Sequence, residues 1–237
     1  MHQTKDCEES RVKEKLKAAF PVLYKAWHKM RIKRNERAEK AKKKAYDDFG
    51  LEILGDLYSM VYEKNYDVSC YYGTLLGLVR DNKLIPWDDD LDFIILNTPS
   101  FTWDQFQRDM NGAGFRLYRT IENETGVIAQ SYKKKGVLCD FGLKDTGNQT
   151  VESLYGCYEI PGVKYDGKEF SPYRFWVYNV PQIPSLESKK LSGIQVKIPQ
   201  NYKEILEAYY GKNWGTPDPN FKPDRIPTEV KLRVVYK

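Results

Sequence analysis

Four aspartates lie within five residues in the first half of the chain, directly before the apolar run FIIL: Asp88, Asp89, Asp90 and Asp92. Alternate side chains of a strand share a face, so Asp88, Asp90 and Asp92 are predicted to project together. Two like charges about 4 Å apart repel by ~4 kcal/mol at an effective dielectric constant near 20, and this repulsion must be offset. Hard cations such as Mg²⁺ prefer oxygen ligands. The cluster therefore favours a metal site, the alternative being a solvated acidic turn before a strand.

A glycine–threonine pair, Gly73-Thr74, stands fifteen residues before Asp88, where a short strand is expected to end and a helix to begin. A helix N-terminus has unpaired N–H groups that favour a phosphate, and Thr74 adds a hydroxyl donor. Arg80, further along the same helix, could reach an anionic ligand. Alone, the pair is more typical of an ordinary strand-to-helix turn. Its position beside the aspartates instead favours a phosphate cradle next to a metal site, which suits reaction at phosphorus.

A further carboxylate, Asp140, lies in the middle of the apolar segment GVLCDFG at residues 136–142. Burial of a lone carboxylate is costly unless it is paired or bound to a metal. Asp140 is therefore predicted to be a third metal ligand or a base for an attacking hydroxyl. The alternative is that it faces solvent by alternation, which Leu138 on the same side of the strand argues against. The 18 tyrosines could stack on a base or surround a quaternary ammonium group, or simply pack in the core.

The elements that must position these residues follow from periodicity and from glycine and proline positions. Residues 10–45 are predicted to be helical, with Pro21 dividing a short helix from a longer one. Gly50 is expected to end or loosen that helix before another at 51–64. Strands are predicted at 67–72, 89–96, 115–121, 126–132 and 136–143, and helices at 75–80, 102–113 and 201–210. Only short strands and loops are expected over 146–199. This order predicts an α/β sheet protein.

The net charge of +5 is concentrated in one segment, because residues 11–44 hold 14 Lys and Arg against 3 Glu. Leu23, Trp27 and Met30 form a narrow apolar stripe on the predicted helix. The segment could bind nucleic acid, an anionic membrane surface or an acidic glycan, and Trp27 and Met30 between lysines suit a membrane interface. The alternative is a solvated helix packed on the core by its stripe. No nucleic-acid recognition motif is present, so no specific nucleic acid partner is expected.

Several protein classes are disfavoured by the sequence. No apolar run approaches the ~20 residues that a membrane span needs, and the N-terminus is polar, so a cytoplasmic protein, peripheral at most to a membrane, is expected. The four cysteines have no C-x-x-C spacing, which favours buried thiols over disulfides or a zinc site. His2 and His28 both lie near the N-terminus. Chemistry elsewhere must therefore depend on carboxylates, cations or hydroxyls.

The segment GTLLGLVRDNKLIPWDDDLDF (73–93) resembles the signature of the LicD family, which includes phosphocholine transferases of bacterial surface glycans and the fukutin-related proteins. The segment YKEILEAYYGKNWGTPDP (202–219) is similar to the family's C-terminal Tyr-Gly-x-x-Trp region. The resemblance spans roughly residues 50–220. It implies a nucleotidyltransferase-like mixed sheet flanked by helices, with a core at 50–145, its C-terminal part at 146–237, and a basic helical extension at 1–49 outside it.

The same resemblance implies transfer of a phospho-alcohol from a CDP-activated donor to a hydroxyl of a glycan or glycolipid. Asp90 and Asp92 would bind Mg²⁺ or Mn²⁺ with Asp88 near them, the Gly73-Thr74 pair would hold donor phosphate, and Asp140 would be the base. Choline, ribitol and glycerol phosphates all occur among the family's donors. Two other functions stay open: nucleotidyl transfer from an NTP to a small molecule, and binding of an anionic partner by the basic helix.

Overall fold

The computed structural model describes residues 20–145, 151–160, 163, 165–178, 180–221 and 226–237. The chain divides into two compact units, Met1–Lys42 and Lys43–Lys237. The helix predicted before Pro21, together with His2 and Cys7, lies outside the described residues. The side chains of Leu23 and Cys157 lie outside them as well.

The first described element is the long helix α1 (Pro21–Glu63). It begins at Pro21, a residue well suited to the first turn because it has no N–H to satisfy. The predicted interruption at Gly50 is wrong, since the helix continues through it. A Cβ at Gly50 would lie 2.7 Å from Cδ1 of Leu84, so this glycine gives Leu84 room against the helix. Beyond this point α1 buries one face at helical spacing, at Ile53, Leu54, Leu57, Tyr58 and Val61.

Within the described residues, three shorter helices and ten strands follow α1. The helices are α2 (Tyr72–Asp81), α3 (Trp103–Gly112) and α4 (Tyr202–Tyr210). The strands are β1 (Val68–Cys70), β2 (Asp90–Asn97), β3 (Arg116–Asn123), β4 (Gly126–Lys134), β5 (Val137–Asp145), β6 (Val151–Glu159), β7 (Ser171–Tyr178), β8 (Leu186–Leu191), β9 (Ile194–Pro199) and β10 (Ile226–Tyr236).

Eight of the described strands form one sheet in the order β1-β2-β5-β4-β3-β10-β7-β6, and β8 pairs with β9 separately. The β2–β5 pair is parallel and the other pairs are antiparallel. Parallel strands need a crossover, which here runs from β2 through α3, β3 and β4 to β5. The predicted class, a mixed α/β sheet with helices, is confirmed.

The main core lies against one face of this sheet. Leu91 and Phe93 of β2 and Cys139 and Phe141 of β5 are buried there, as the alternation predicted for β2. Phe93 stacks on Phe141 with ring centroids 5.0 Å apart. Cys139 and Cys70 are buried free thiols, which confirms that prediction for these two cysteines. On the opposite face the start of β2 carries Asp90 and Asp92, while Ile94 and Leu96 further along are buried in a second apolar cluster.

The C-terminal third departs from the sequence prediction. Only short strands and loops were expected over 146–199, but β6 and β7 are nine and eight residues long and belong to the main sheet. The eleven-residue β10 was not predicted, and it lies between β3 and β7. These strands are fixed by pairing with distant segments, which local periodicity does not reveal. Among the described helices, none has both the length and the apolar character of a bilayer span.

Candidate active site

The Gly73-Thr74 pair lies in the first turn of α2, because the helix begins at Tyr72 rather than after the pair. The N-cap residue Tyr71 has an extended backbone, and its side chain makes no capping hydrogen bond. Tyr72 has φ of 42°, a conformation that is uncommon for a bulky residue. The Tyr71 side chain therefore does not satisfy the first N–H groups of α2, which favours an acceptor from another part of the chain or from an anionic ligand.

Gly73 makes room for Asp88. A Cβ on Gly73 would overlap Oδ2 of Asp88 and lie 3.3 Å from its Cγ, so the carboxyl group lies directly against the glycine backbone. A carboxylate is favourable at the positive end of a helix dipole. The aspartate cluster and the helix start therefore form one site rather than two neighbouring ones.

Thr74 fixes the backbone of β2 at this site. Its side chain is fully buried, and its Oγ1 accepts a hydrogen bond of 2.8 Å from the backbone N–H of Asp92. The backbone N–H of Tyr71 donates to the carbonyl oxygen of Asp92 at 2.9 Å. The sequence predicted that the Thr74 hydroxyl would contact a ligand phosphate. In the structure this hydroxyl accepts from β2 and so ties the start of α2 to that strand, and its contact with a phosphate stays a prediction.

The acidic cluster begins in the turn before β2, where the N–H of Asp88 donates to the Ile85 carbonyl at 3.1 Å. One carboxylate oxygen from each of Asp88, Asp89 and Asp90 lies within 4.8 Å of the other two. Asp89 was not among the predicted ligands, because strict strand alternation turns it away from its neighbours. Asp89 lies in the turn before β2, where that alternation does not apply.

Asp92 is next to Asp140 across the parallel pair, since the two residues are register partners on β2 and β5. Adjacent strands are about 4.8 Å apart, so two carboxylates face the same side at close range. Asp92 is 7% exposed and Asp140 is half-buried. Two carboxylates from distant parts of the sequence are thus brought together by the crossover.

A polar row continues across the sheet from this pair. Asp140 is the register partner of Ser131 on β4, Ser131 of Arg119 on β3, and Arg119 of Tyr236 on β10. The row places a cation on the same face as the carboxylates, two strands beyond Asp140. None of these three residues was a predicted site residue, since their alignment arises from the register of antiparallel strands.

Arg119 holds Asp140 in place. Its Nε donates to Ser131 Oγ at 2.8 Å, and one terminal nitrogen donates to Asp140 Oδ2 at 3.1 Å. Burial acts to lower the pKa of Arg119, but Asp140 and Tyr236 outweigh it and the pKa is raised, so the guanidinium stays charged. The other oxygen of Asp140, Oδ1, is buried and has no hydrogen-bond partner among the described residues. That oxygen is suited to a metal ion or a ligand hydroxyl.

Tyr46 of α1 is a further residue at the cluster. Its hydroxyl is buried and, within the described part of the chain, lacks a hydrogen-bond partner. Burial raises the pKa of Tyr46, and the charges of Asp88, Asp90 and Asp92 raise it further, which shows that the phenol lies in the field of these carboxylates. No sequence signal marked Tyr46, since it is one of many aromatic residues on a helix.

Arg80 lies seven residues beyond Gly73, about 10 Å along α2. Its side chain is 5% exposed, and its guanidinium donates to Oδ2 of Asp81 at 3.0 and 2.7 Å. The observed partner of Arg80 is thus a neighbouring carboxylate. Its contact with an anionic ligand stays a prediction.

The residues at this site suit a hard divalent cation. The donors are carboxylate oxygens, several of them close together, and the orphaned Oδ1 of Asp140 adds another. Like charges at this spacing repel by ~4 kcal/mol for each pair, and a bound cation would offset that repulsion.

The fold and the site together define a mixed α/β protein with a carboxylate-rich centre at the start of a helix. The chain belongs to the LicD/FKTN/FKRP family, whose nucleotidyltransferase-domain model matches residues 65–201. The resemblance predicted from the sequence is therefore confirmed, and the matched segment contains every predicted site residue. Proteins of this family are generally transferases, which supports an enzyme of that class. No match to the chain is found among curated proteins.

Proposed function

We propose that this protein transfers a phospho-alcohol, most readily phosphocholine, from a CDP-activated donor to a hydroxyl group of a cell-surface glycan or glycolipid. The observation that carries the proposal is the pairing of Asp92 with Asp140 on parallel strands, beside the Asp88–Asp90 cluster at the start of α2. Family membership supports a phospho-alcohol transferase. Carboxylates next to a helix N-terminus suit a reaction at a phosphate.

Asp88, Asp90 and Asp92 would hold Mg²⁺ or Mn²⁺, which when bound neutralises charge on the pyrophosphate of the donor. The buried Oδ1 of Asp140 supports this assignment, because an unpartnered buried carboxylate oxygen is costly without a cation or a hydroxyl donor. The N–H groups at the start of α2, around Gly73, would bind donor phosphate.

The reaction would be an in-line displacement at the β-phosphorus of the donor. The acceptor hydroxyl oxygen forms a new P–O bond, the bond from this phosphorus to the bridging oxygen breaks, and CMP leaves with the electron pair. Asp140 accepts the hydroxyl proton. Arg119 keeps the carboxylate oriented through Oδ2, and Thr74 fixes the backbone of Asp92.

A donor screen tests this proposal. CMP release is measured from CDP-choline, CDP-ribitol and CDP-glycerol with Mg²⁺ and a pool of glycan and polyol acceptors. Release from one donor, lost with EDTA and in Asp92→Asn but kept in the exposed control Asp104→Asn, is expected. Full activity of Asp92→Asn on that donor would refute the assigned role.

Nucleotidyl transfer from an NTP to a small molecule or sugar phosphate is the second candidate. It is favoured by the description of the matched family domain as a nucleotidyltransferase domain. The same carboxylates would then act at the α-phosphorus. Pyrophosphate release from an NTP, in place of CMP release from a CDP-alcohol, distinguishes the two.

A binding role of another class is proposed for the N-terminal part of α1, on a cytoplasmic protein attached peripherally to a membrane. Val22 is 78% exposed, Met30 63% and Trp27 49%, among many lysines and arginines. Exposed apolar and basic side chains together favour an anionic lipid surface. Flotation with phosphatidylserine vesicles, compared with phosphatidylcholine vesicles, tests it. Equal recovery with both would argue against it.

A further inference from the structure

Tyr46 lies on α1 beside the segment that leads into the acidic cluster. A Cβ at Gly50, one helical turn further on, would lie 3.7 Å from Cδ2 of Tyr46 and 2.7 Å from Cδ1 of Leu84, so both side chains pack against this glycine. Leu84 belongs to the segment between α2 and β2, four residues before Asp88. The Tyr46 ring is therefore held next to the turn in which the cluster begins.

The Tyr46 hydroxyl is a buried donor. The residue is 2% exposed, and no described residue forms a hydrogen bond with the hydroxyl. Burial raises the pKa of the phenol, and the charges of Asp88, Asp90 and Asp92 raise it further, so the phenol keeps its proton at neutral pH. A buried hydroxyl without a partner is costly, and such groups are uncommon in folded proteins. Its proton is thus available to an acceptor other than the described side chains.

The carboxylates decide where that acceptor lies. Their negative charges act on the phenol and orient its O–H bond toward the cluster. None of them accepts directly from the hydroxyl. An oxygen atom bound to a cation fits this arrangement, because Mg²⁺ is usually held by one or two carboxylates and keeps several waters. Hydrogen bonds to the ligands of a metal ion typically change its affinity by about 10–100-fold.

We infer that the Tyr46 hydroxyl donates a hydrogen bond to a water molecule on the divalent cation of the acidic cluster, which makes α1 a part of the metal site. This inference rests on the proposed function, since that function assigns the cation to Asp88, Asp90 and Asp92. Tyr46 is a positioning residue, because it acts on the cation through the bound water. It precedes the segment 65–201 that matches the family model, and it lies in the same compact unit as the cluster, Lys43–Lys237.

Stability without metal tests whether the Tyr46 hydroxyl has a partner within the protein. Tyr58→Phe is the matched control, because it removes another buried hydroxyl of α1, one that donates to the Lys197 carbonyl at 3.0 Å. In EDTA, Tyr46→Phe should keep or raise the urea midpoint of unfolding, whereas Tyr58→Phe should lower it. A midpoint lowered as much in Tyr46→Phe as in Tyr58→Phe would show that Tyr46 has a partner within the chain and would overturn the inference.

Mn²⁺ binding tests the role of Tyr46 at the metal site. The electron paramagnetic resonance signal of the free ion gives the Kd of each variant without any nucleotide. We expect the Kd of Tyr46→Phe to be about tenfold higher than that of the wild type, and the Kd of Tyr58→Phe to be unchanged. An unchanged Kd in Tyr46→Phe, or an equal rise in both variants, would overturn the inference.

Asp92→Asn in the same titration separates this inference from the proposed function. Mn²⁺ binding that is lost in Asp92→Asn but unchanged in Tyr46→Phe would leave the metal assignment intact and overturn the role of Tyr46. A Kd that rises in both variants supports the role of Tyr46 even if no CDP-alcohol releases CMP. No Mn²⁺ binding by the wild type would overturn the metal assignment and the inference together.

Discussion

Replacing Gly73 with alanine should lower the activity of the site without lowering the stability of the fold. The added methyl group would overlap Oδ2 of Asp88 and lie 3.3 Å from its Cγ. The obstructing atom is the end of a side chain, so the carboxylate can move while the backbone stays in place. Carbon atoms in contact are ordinarily about 3.5–4.0 Å apart, so Cγ must move by about 0.2–0.7 Å and the overlapping Oδ2 by more, on the order of 1 Å.

The expected loss of activity follows from that shift. Misplacement of a catalytic group by about 1 Å can reduce the rate by ~10²-fold, which corresponds to ~2.7 kcal/mol of barrier at 1.36 kcal/mol for each tenfold. Folding should not suffer, because alanine in a helix is favoured over glycine by up to ~1 kcal/mol. The variant should thus keep or raise its free energy of unfolding while its kcat falls about 100-fold.

The assay combines kcat for CMP release with urea unfolding of the same preparations. Gly112→Ala is the matched control, because it makes the same chemical change in α3 at a position with nothing within 4 Å of the added methyl group. The control should keep wild-type kcat. Wild-type kcat in Gly73→Ala would refute the claim that the place of Asp88 against α2 matters for catalysis.

Three further predictions concern residues that support the site or its sheet. Thr74→Val leaves the buried N–H of Asp92 without its acceptor, so urea unfolding should show a loss of about 1–3 kcal/mol, whereas Thr74→Ser should lose less; equal losses would contradict the hydrogen bond. Burial lowers the pKa of Lys144 to about 8 from its usual 10.5, so the unfolded chain binds more protons between these pH values and stability should rise with pH across them. Lys144→Met should remove that rise and increase Tm at pH 7, and an unchanged pH profile would count against it. Arg119→Lys keeps the positive charge, but a lysine cannot reproduce the two hydrogen bonds that Arg119 donates to Ser131 and Asp140. The kcat should therefore fall about tenfold with little change in donor KM. An unaltered kcat would show that Arg119 does not position the base.

Local pattern was enough to predict which side chains at the start of β2 turn away from the core. The alternation of Asp90, Leu91, Asp92 and Phe93 predicted which residues of β2 enter the core, because side-chain direction in a strand depends only on position. Motif resemblance predicted the family from two short segments. Asp140 was predicted as a site residue because a charge within an apolar strand is unusual in any context.

The features of the fold and site that were not predicted depend on contacts between distant segments of the sequence. Arg119 and Ser131 reach Asp140 only through the registers of β3, β4 and β5, including a bulge at Tyr118 that no propensity reveals. Gly50 was expected to interrupt α1, but packing of Leu84 against it outweighs the weak helix propensity of glycine. Thr74 was expected to face a ligand, and only the tertiary structure shows that its hydroxyl accepts from Asp92.

Phosphorus-31 NMR of a reaction that contains CDP-choline, an NTP, Mg²⁺ and a pool of glycan and polyol acceptors tests the central claim most directly, because it identifies the bond that breaks. The account predicts equal amounts of CMP and of a new phosphodiester on the acceptor, no pyrophosphate, and no reaction with EDTA or in Asp92→Asn. Release of pyrophosphate from an NTP, with CDP-choline left intact, would contradict phospho-alcohol transfer and establish nucleotidyl transfer instead.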